Sequence, residues 1–284
     1  MPLVHTEAML RKAAAEGYAV GAFNIVNELT ARAVVQACEE MRAPVILQTS
    51  TATVKQIGVL HTIGFLRSIA GNAAVPVSVH LDHCKDANLC CACIDAGWPS
   101  VMIDASHLPL AENIAKTREV VAYAAGKGVS VEGELGAIGG VEDGIAVCEK
   151  DAHLASLEDA ITFTTQTGVG LFAPAIGTAH GMYKGEPKLD FERLQQIGRA
   201  VAQPLVVHGG TGLAPDVFKK LIGLGASKIN ISTALKMAYL DAIRGFMSEN
   251  PGNTNPLKLD GHVEHRIQEM AKEHLRTFGA ENKA

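Results

Sequence analysis

The sequence carries no excess of basic charge: its 284 residues hold 25 Lys and Arg against 30 Asp and Glu, a formal net charge of −5. A nucleic-acid binder needs a basic face, so that class is set aside. A small anionic substrate is not, because a local site can be positive on a mildly acidic protein. There is no uninterrupted apolar stretch long enough to span a bilayer, so no membrane partner is expected. The opening residues, Met-Pro-Leu-Val-His-Thr-Glu, lack the basic segment and apolar run of a signal peptide. Cysteine is scarce, with six residues: Cys38, Cys84, Cys90, Cys91, Cys93 and Cys148. Cys90 and Cys93 form a C-x-x-C, but no second pair follows and both fall inside a helical pattern. They read as ordinary buried thiols rather than a zinc knuckle or redox pair. A reducing cytoplasm is the simplest compartment. No low-complexity tract, internal repeat or domain boundary interrupts the chain.

What is present is a hydrophobic fraction of 48%, enough for a large core, and 28 glycines, which suit many tight strand-to-helix turns. Short runs rich in Val and Ile alternate with longer helical stretches. The strand candidates are Val20–Asn24, Val45–Gln48, Val77–Leu81, Ser100–Ile103, Ser130–Glu134, Val169–Ala173, Leu205–Val207 and Lys228–Ile231. Such runs fit parallel strands covered by helices. The helices between them are read as Glu28–Met41, Ile57–Ala70, Ala87–Ala96, Ala111–Gly126, Ser156–Thr167, Phe191–Val201, Pro215–Leu224 and Thr233–Met247. Ser156 and Asp159 resemble a capping box with Asp in place of Glu. Pro44, Pro76 and Pro204 mark strand entries. About eight β-then-α units in ~250 residues predict an α/β fold, a single (β/α)₈ TIM barrel domain over residues 1–284 with an extra C-terminal helix. An open doubly wound sheet is the alternative. Two segments read as loops: Gly136–Leu154, which is long enough to suggest a functional role, and residues 249–260.

In a barrel of this kind the active site forms at the C-terminal ends of the strands. Unusual polar residues gather there. The first strand ends at Asn24 and the second at Gln48-Thr49-Ser50. The third runs into Asp82-His83, the fourth ends at Asp104 and Ser106, and the fifth at Glu132 and Glu134. The sixth is followed by Gly177-Thr-Ala-His180-Gly181, the seventh by His208-Gly209-Gly210-Thr211-Gly212, and the eighth ends at Asn230-Ile-Ser232-Thr233. Three histidines, His83, His180 and His208, therefore meet at one rim. Neutral imidazole is a common zinc ligand, and three protein ligands with an open position define a catalytic site. The glycine run after His208, with Asn230-Ile-Ser-Thr at the next helix start, fits a phosphate site after the last two strands. Lys184 either adds a positive charge there or is a solvated surface residue. On spacing alone, Glu142 in the glycine-flanked loop reads as a solvated charge; a carboxylate so placed is also able to swing over a substrate as a general base.

These motifs resemble the class II fructose-bisphosphate and tagatose-bisphosphate aldolase family. The matching strings are Gly21-Ala-Phe-Asn24, Ala43-Pro-Val-Ile-Leu-Gln48, His80-Leu-Asp-His83, Ser100-Val-Met-Ile-Asp-Ala-Ser106, Val131-Glu-Gly-Glu-Leu-Gly-Ala-Ile-Gly-Gly140, Gly177-Thr-Ala-His-Gly-Met-Tyr-Lys-Gly185, Val207-His-Gly-Gly-Thr-Gly212 and Lys228-Ile-Asn230. They span nearly the whole chain. The resemblance implies a Zn²⁺-dependent lyase that cleaves a ketose 1,6-bisphosphate into dihydroxyacetone phosphate and an aldehyde such as glyceraldehyde 3-phosphate. It implies zinc on His83, His180 and His208, with Asp104 and Glu134 as an alternative or second metal position. Asp82 would exchange a proton with the hydroxyl that becomes the aldehyde, and Glu142 would move the proton on the dihydroxyacetone phosphate carbon. Gly181, Gly209, Gly210, Thr211, Asn230, Ser232 and Thr233 would hold the phosphate, helped by Lys184, while Asn24 and Ser50 line the pocket. A monovalent cation (Na⁺ or K⁺) near the phosphate and a homodimer or homotetramer are also implied. Two departures stand out. Ala234 replaces an acidic residue common in relatives, and Asn255-Pro-Leu-Lys replaces their Asp-Pro-Arg, leaving the group that reads the far end of the ketose open, with Arg266 the nearest arginine. The alternatives are a ketose 1-phosphate with another anionic tail, a class I aldolase using Lys228, a metal-dependent barrel hydrolase or epimerase, and a non-catalytic sugar-phosphate-binding subunit.

Overall fold

The computed structural model describes residues 3–142, 145–147, 153–181, 183, 185 and 187–284, with the backbone alone at 141, 142 and 145–147. The chain runs α1 (Thr6–Glu16), β1 (Val20–Asn24), α2 (Glu28–Met41), β2 (Val45–Ser50), α3 (Thr51–Ile57), α4 (Val59–Asn72), β3 (Val77–Cys84), α5 (Ala87–Asp95), β4 (Ser100–Ile103), α6 (Leu110–Ala124) and β5 (Ser130–Leu135). It continues through β6 (Gly139–Glu142), β7 (Ile145–Val147), α7 (Leu157–Thr167), β8 (Leu171–Pro174), β9 (Ala179–His180), α8 (Phe191–Ala200), β10 (Leu205–Val207), α9 (Pro215–Gly223), β11 (Ala226–Ile231), α10 (Thr233–Glu249) and α11 (Pro256–Thr277). Eight parallel strands close into a barrel in the order β1-β11-β10-β8-β5-β4-β3-β2. All eight are buried along their full length. This is the (β/α)₈ barrel expected from the alternation of strand and helix patterns, and it excludes the open sheet.

Local chemistry sets the boundaries. Pro44, Pro76 and Pro204 each immediately precede a barrel strand. Asn27 caps α2 in a reciprocal box with Thr30, an arrangement worth about 1 kcal/mol. Ser156 accepts from the Asp159 backbone N–H at the start of α7. The helix expected over Ile57–Ala70 is α4, starting two residues later, and an additional short helix, α3, precedes it. Ser50 caps α3, and Gly58, at φ 94°, turns the chain before α4. Helix α1 was not legible in the sequence because its apolar face is narrow: Met9, Leu10 and Ala13 are buried in an otherwise charged segment. It sits at the barrel's N-terminal end. Thr6 and Ser78 share a 2.6 Å hydroxyl contact, and the Glu7 N–H donates to Ser130 Oγ.

Both expected loops are corrected. Within Gly136–Leu154, β6 and β7 form an antiparallel hairpin, and β6 pairs in parallel with β9. The loop expected over residues 249–260 is shorter, 250–255, because α10 runs to Glu249 and α11 begins at Pro256, capped by Asn255. The C-x-x-C thiols Cys90 and Cys93 are buried and free on α5. Among the described residues no helix is long and apolar enough to cross a membrane.

Candidate metal centre and phosphate cradle

Alternate residues of a strand share one face. On β3, β5 and β11 this places His80 with Asp82, Glu132 with Glu134, and Lys228 with Asn230. Hydrogen bonds sort them into two tiers inside the barrel. In the deeper tier, Lys228 Nζ donates to Glu132 Oε2 at 2.9 Å, and His80 Nε2 lies 3.5 Å from the same oxygen. In the tier toward the strand C-termini, Asp82 accepts from Asn24 Nδ2 at 2.7 Å and from Asn230 Nδ2 at 3.3 Å. Gln48 donates in turn to Asn24 Oδ1, which fixes that amide with its NH₂ toward Asp82.

The three histidines come together as the sequence predicted. One ring nitrogen from each of His83, His180 and His208 lies within 4.8 Å of the others. His83 reaches this position through an irregularity: the β3–β4 register shifts between Leu81 and Cys84, and His83 has φ 46°. A non-glycine residue held there costs roughly 1–3 kcal/mol, strain that clusters at functional sites. His180 is delivered by β9, paired to β6. His208 follows β10. Its Nδ1 lies 2.8 Å from His83 Nε2, and its Nε2 lies 2.8 Å from Glu132 Oε1.

Burial and neighbouring charge push the groups of this cluster in opposite directions. Burial opposes protonation of His83, but the Asp82, Asp104 and Glu134 carboxylates outweigh it and raise the imidazole well above its ordinary range. Burial and the neighbouring His83 lower His208. Burial, reinforced by Asp104, raises Glu134 well above the usual carboxylate range. Glu132 is the contrast: burial would raise it, but Lys228, His80 and His208 hold it well below. Two imidazole nitrogens facing at 2.8 Å need either a proton or a metal ion between them, since two lone pairs repel. Glu134 Oε2, buried and with no hydrogen-bond partner among the described residues, lies 3.6 Å from His208 Nδ1. Three imidazoles, an unpartnered carboxylate oxygen and a carboxylate behind His83 form a donor set that fits a zinc-type ion.

The other predicted residues divide. Asp104 is in the expected place, but both of its oxygens are engaged: Oδ2 with His83 Nδ1 at 3.0 Å, Oδ1 with the Ser106 hydroxyl and N–H. Ser50 is buried and caps α3 through the Thr53 N–H. Gly209, Gly210 and Thr211 lie beside the start of α10, where Thr211 Oγ1 accepts from the Ala234 N–H. Ser232 precedes Thr233 with its hydroxyl buried and unpartnered among the described residues. A free hydroxyl, turning glycines and a helix N-terminus make an anion cradle. Gly209 is required by its φ of 68° and by the backbone, since a Cβ would lie 2.4 Å from the Ala179 carbonyl oxygen. Tyr183 Oη ties these loops together, donating to the Gly209 carbonyl and accepting from the Ala179 N–H. Gly181 follows His180 at φ 86°. Glu142 closes β6 by its backbone, but its side chain lies outside the described residues, as does Lys184.

Sequence reasoning gave no role to Glu132, Gln48, His80 or Tyr183. For Glu132 the signal was its two-residue spacing from Glu134, which places both inside the barrel. Lys228, the candidate for imine chemistry, is fully buried and its Nζ donates to Glu132.

A histidine cluster able to hold a metal ion and an anion cradle lie together at the C-terminal mouth of a closed barrel, an arrangement suited to metal-assisted chemistry on a small anionic substrate. The family model for fructose-bisphosphate aldolase class-II matches residues 4–283. The chain belongs to that family, and is thus a class II aldolase, a carbon–carbon lyase. It is 40% identical over 289 residues to fructose-bisphosphate aldolase of Staphylococcus aureus (strain N315), covering 100% of both chains. It is 38% identical over 284 residues to sulfofructosephosphate aldolase of Alkalicoccus urumqiensis, covering 100% of this chain and 99% of the relative. Among solved structures, the YdjI aldolase from Escherichia coli K12 superposes with a TM-score of 0.86 at 31% identity, covering 99% of each chain. A putative fructose-1,6-biphosphate aldolase from Coccidioides immitis gives 0.90 at 29%, covering 98% of this chain and 97% of that one.

Proposed function

We propose that the protein is a zinc-dependent aldolase that reversibly cleaves a ketose 1,6-bisphosphate of the fructose or tagatose type into dihydroxyacetone phosphate and glyceraldehyde 3-phosphate. The observation that carries this reading is the convergence of His83, His180 and His208 beside an Asp82 held by two amides. Zn²⁺ bound by these imidazoles would supply Lewis acidity toward the ketose carbonyl oxygen. Asp82 removes the proton of the C4 hydroxyl, the C3–C4 bond breaks, and its electron pair passes to C3, next to the C2 carbonyl. Glu142 then delivers a proton to C3, completing dihydroxyacetone phosphate; in condensation it removes that proton. Asn24 and Asn230 orient Asp82. Gly181, Gly209, Gly210, Thr211, Asn230, Ser232 and Thr233 hold the phosphate of the dihydroxyacetone half, with Lys184 and a monovalent cation adding positive charge. Ser50 lines the pocket, and Glu134, with Asp104 behind His83, offers a second metal position. One domain spanning the chain, a cytoplasmic location and a homodimer or homotetramer complete the reading.

A second reading keeps this chemistry and changes the tail of the ketose. Where relatives are expected to carry Asp-Pro-Arg, α11 opens Asn255-Pro-Leu-Lys, and Leu257 is 75% exposed. A similar relative is named for a sulfo-sugar phosphate. The test is a chelator-controlled cleavage assay over fructose and tagatose 1,6-bisphosphates and ketose 1-phosphates with other anionic tails. Release of dihydroxyacetone phosphate from a bisphosphate, abolished by chelation and restored by zinc, is expected. Turnover that survives complete metal removal would defeat the proposal, and preference for a tail other than phosphate would select the second reading.

A further inference from the structure

Beneath the three imidazoles lies a buried ion pair that the reaction does not use. Lys228 and Glu132 reach toward each other from β11 and β5, which are separated in the barrel wall by β10 and β8. Both side chains are fully buried. Barrel interiors are ordinarily filled by branched apolar side chains. A charged pair there carries a desolvation penalty, and well-packed apolar residues in its place are often equally or more stable. Stability alone gives no reason for the pair, but its geometry does. Glu132 Oε2 accepts from Lys228, and Glu132 Oε1 faces His208 Nε2 at 2.8 Å. An ionised carboxylate only accepts, so Nε2 carries the hydrogen and Nδ1 keeps the lone pair. Nδ1 is the nitrogen that faces His83 Nε2. On His83 the roles are reversed: Asp104 engages Nδ1 and frees Nε2. The two rings thus offer opposite nitrogens to one point, each selected by a carboxylate behind it.

We propose that Glu132 and Lys228 are positioning residues for the metal centre. Glu132 fixes the tautomer and ring orientation of His208 so that Nδ1 is the ligand atom, and Lys228 holds Glu132 in place through its other oxygen. His80 completes the seat, with Nδ1 2.7 Å from Ser100 Oγ and Nε2 beside Glu132. The inference rests on the metal-dependent reading above.

The test is the double variant Glu132→Leu with Lys228→Met, which removes both charges at similar volume. Its readouts are zinc affinity, by competition with a chromophoric chelator, and the visible spectrum of the cobalt-substituted protein. The expected result is a folded barrel whose zinc Kd rises roughly 10–100-fold, with a changed cobalt spectrum. A wild-type Kd and spectrum in the double variant would overturn the inference while leaving the metal reading intact. Failure of the wild-type protein to bind zinc would overturn both. Should the variant not fold, long-range ¹H–¹⁵N correlation spectra of the wild-type protein decide. An Nε2–H tautomer for His208 supports the inference; an Nδ1–H tautomer or an averaged mixture refutes it.

Discussion

Replacing Asp82 with alanine separates chemistry from metal binding. Asp82 is 1% exposed and accepts two amide hydrogen bonds, from Asn24 and Asn230. Its carboxylate is not one of the three clustered ligand atoms. Losing a positioned general base removes about 10²–10⁴ of rate, or roughly 3–5.5 kcal/mol of barrier. The substitution also leaves the Asn24 and Asn230 donors without their acceptor, at a cost of about 1–3 kcal/mol for a buried group. Partly offsetting this, a buried charge disappears. The net effect is a modest fall in Tm with the barrel intact. Steady-state cleavage, followed by dihydroxyacetone phosphate release, should therefore show kcat reduced about 100- to 10,000-fold. Metal content by mass spectrometry should stay near one zinc per chain. Asp82→Asn, which keeps the volume but accepts no proton, should fall by a similar factor. A kcat within threefold of wild type would refute the assigned role, and loss of zinc would show that Asp82 acts in metal binding instead.

Glu142→Ala should retain zinc but lose proton exchange at C3 of dihydroxyacetone phosphate, measured by solvent deuterium uptake; uptake at the wild-type rate argues against Glu142 as the proton carrier. His180→Ala should deplete zinc and abolish cleavage while the far-ultraviolet circular dichroism spectrum stays unchanged. Gly140→Ala should act at a distance: at φ 106° a Cβ would lie 2.2 Å from the His180 carbonyl oxygen, so β9 must shift and zinc affinity should drop. An unaltered zinc titration would show that this strand pairing does not deliver His180. Borohydride treatment with substrate should leave Lys228 unmodified, read by peptide mass, because its ammonium is committed to Glu132.

Sequence alone determined the barrel, because each strand-and-helix unit is a local pattern of short β-branched runs and amphipathic stretches set off by prolines and glycines. It also assigned His83, His180 and His208 to the C-terminal ends of barrel strands, although His180 lies six residues beyond β8 and reaches the cluster only through the pairing of β9 with β6. Side-chain partnerships across the barrel were not available from it. That Glu132 meets Lys228 and His208 depends on strands 76 and 96 residues apart in sequence facing each other across the lumen. Likewise the hairpin of β6 and β7 has no strong periodicity, and β6 pairs with the two-residue strand that carries His180. Local pattern fixes where a residue sits on its own element. Only closure of the barrel decides which buried polar atom from another element it meets, and that choice selects which nitrogen of His208 faces the metal centre.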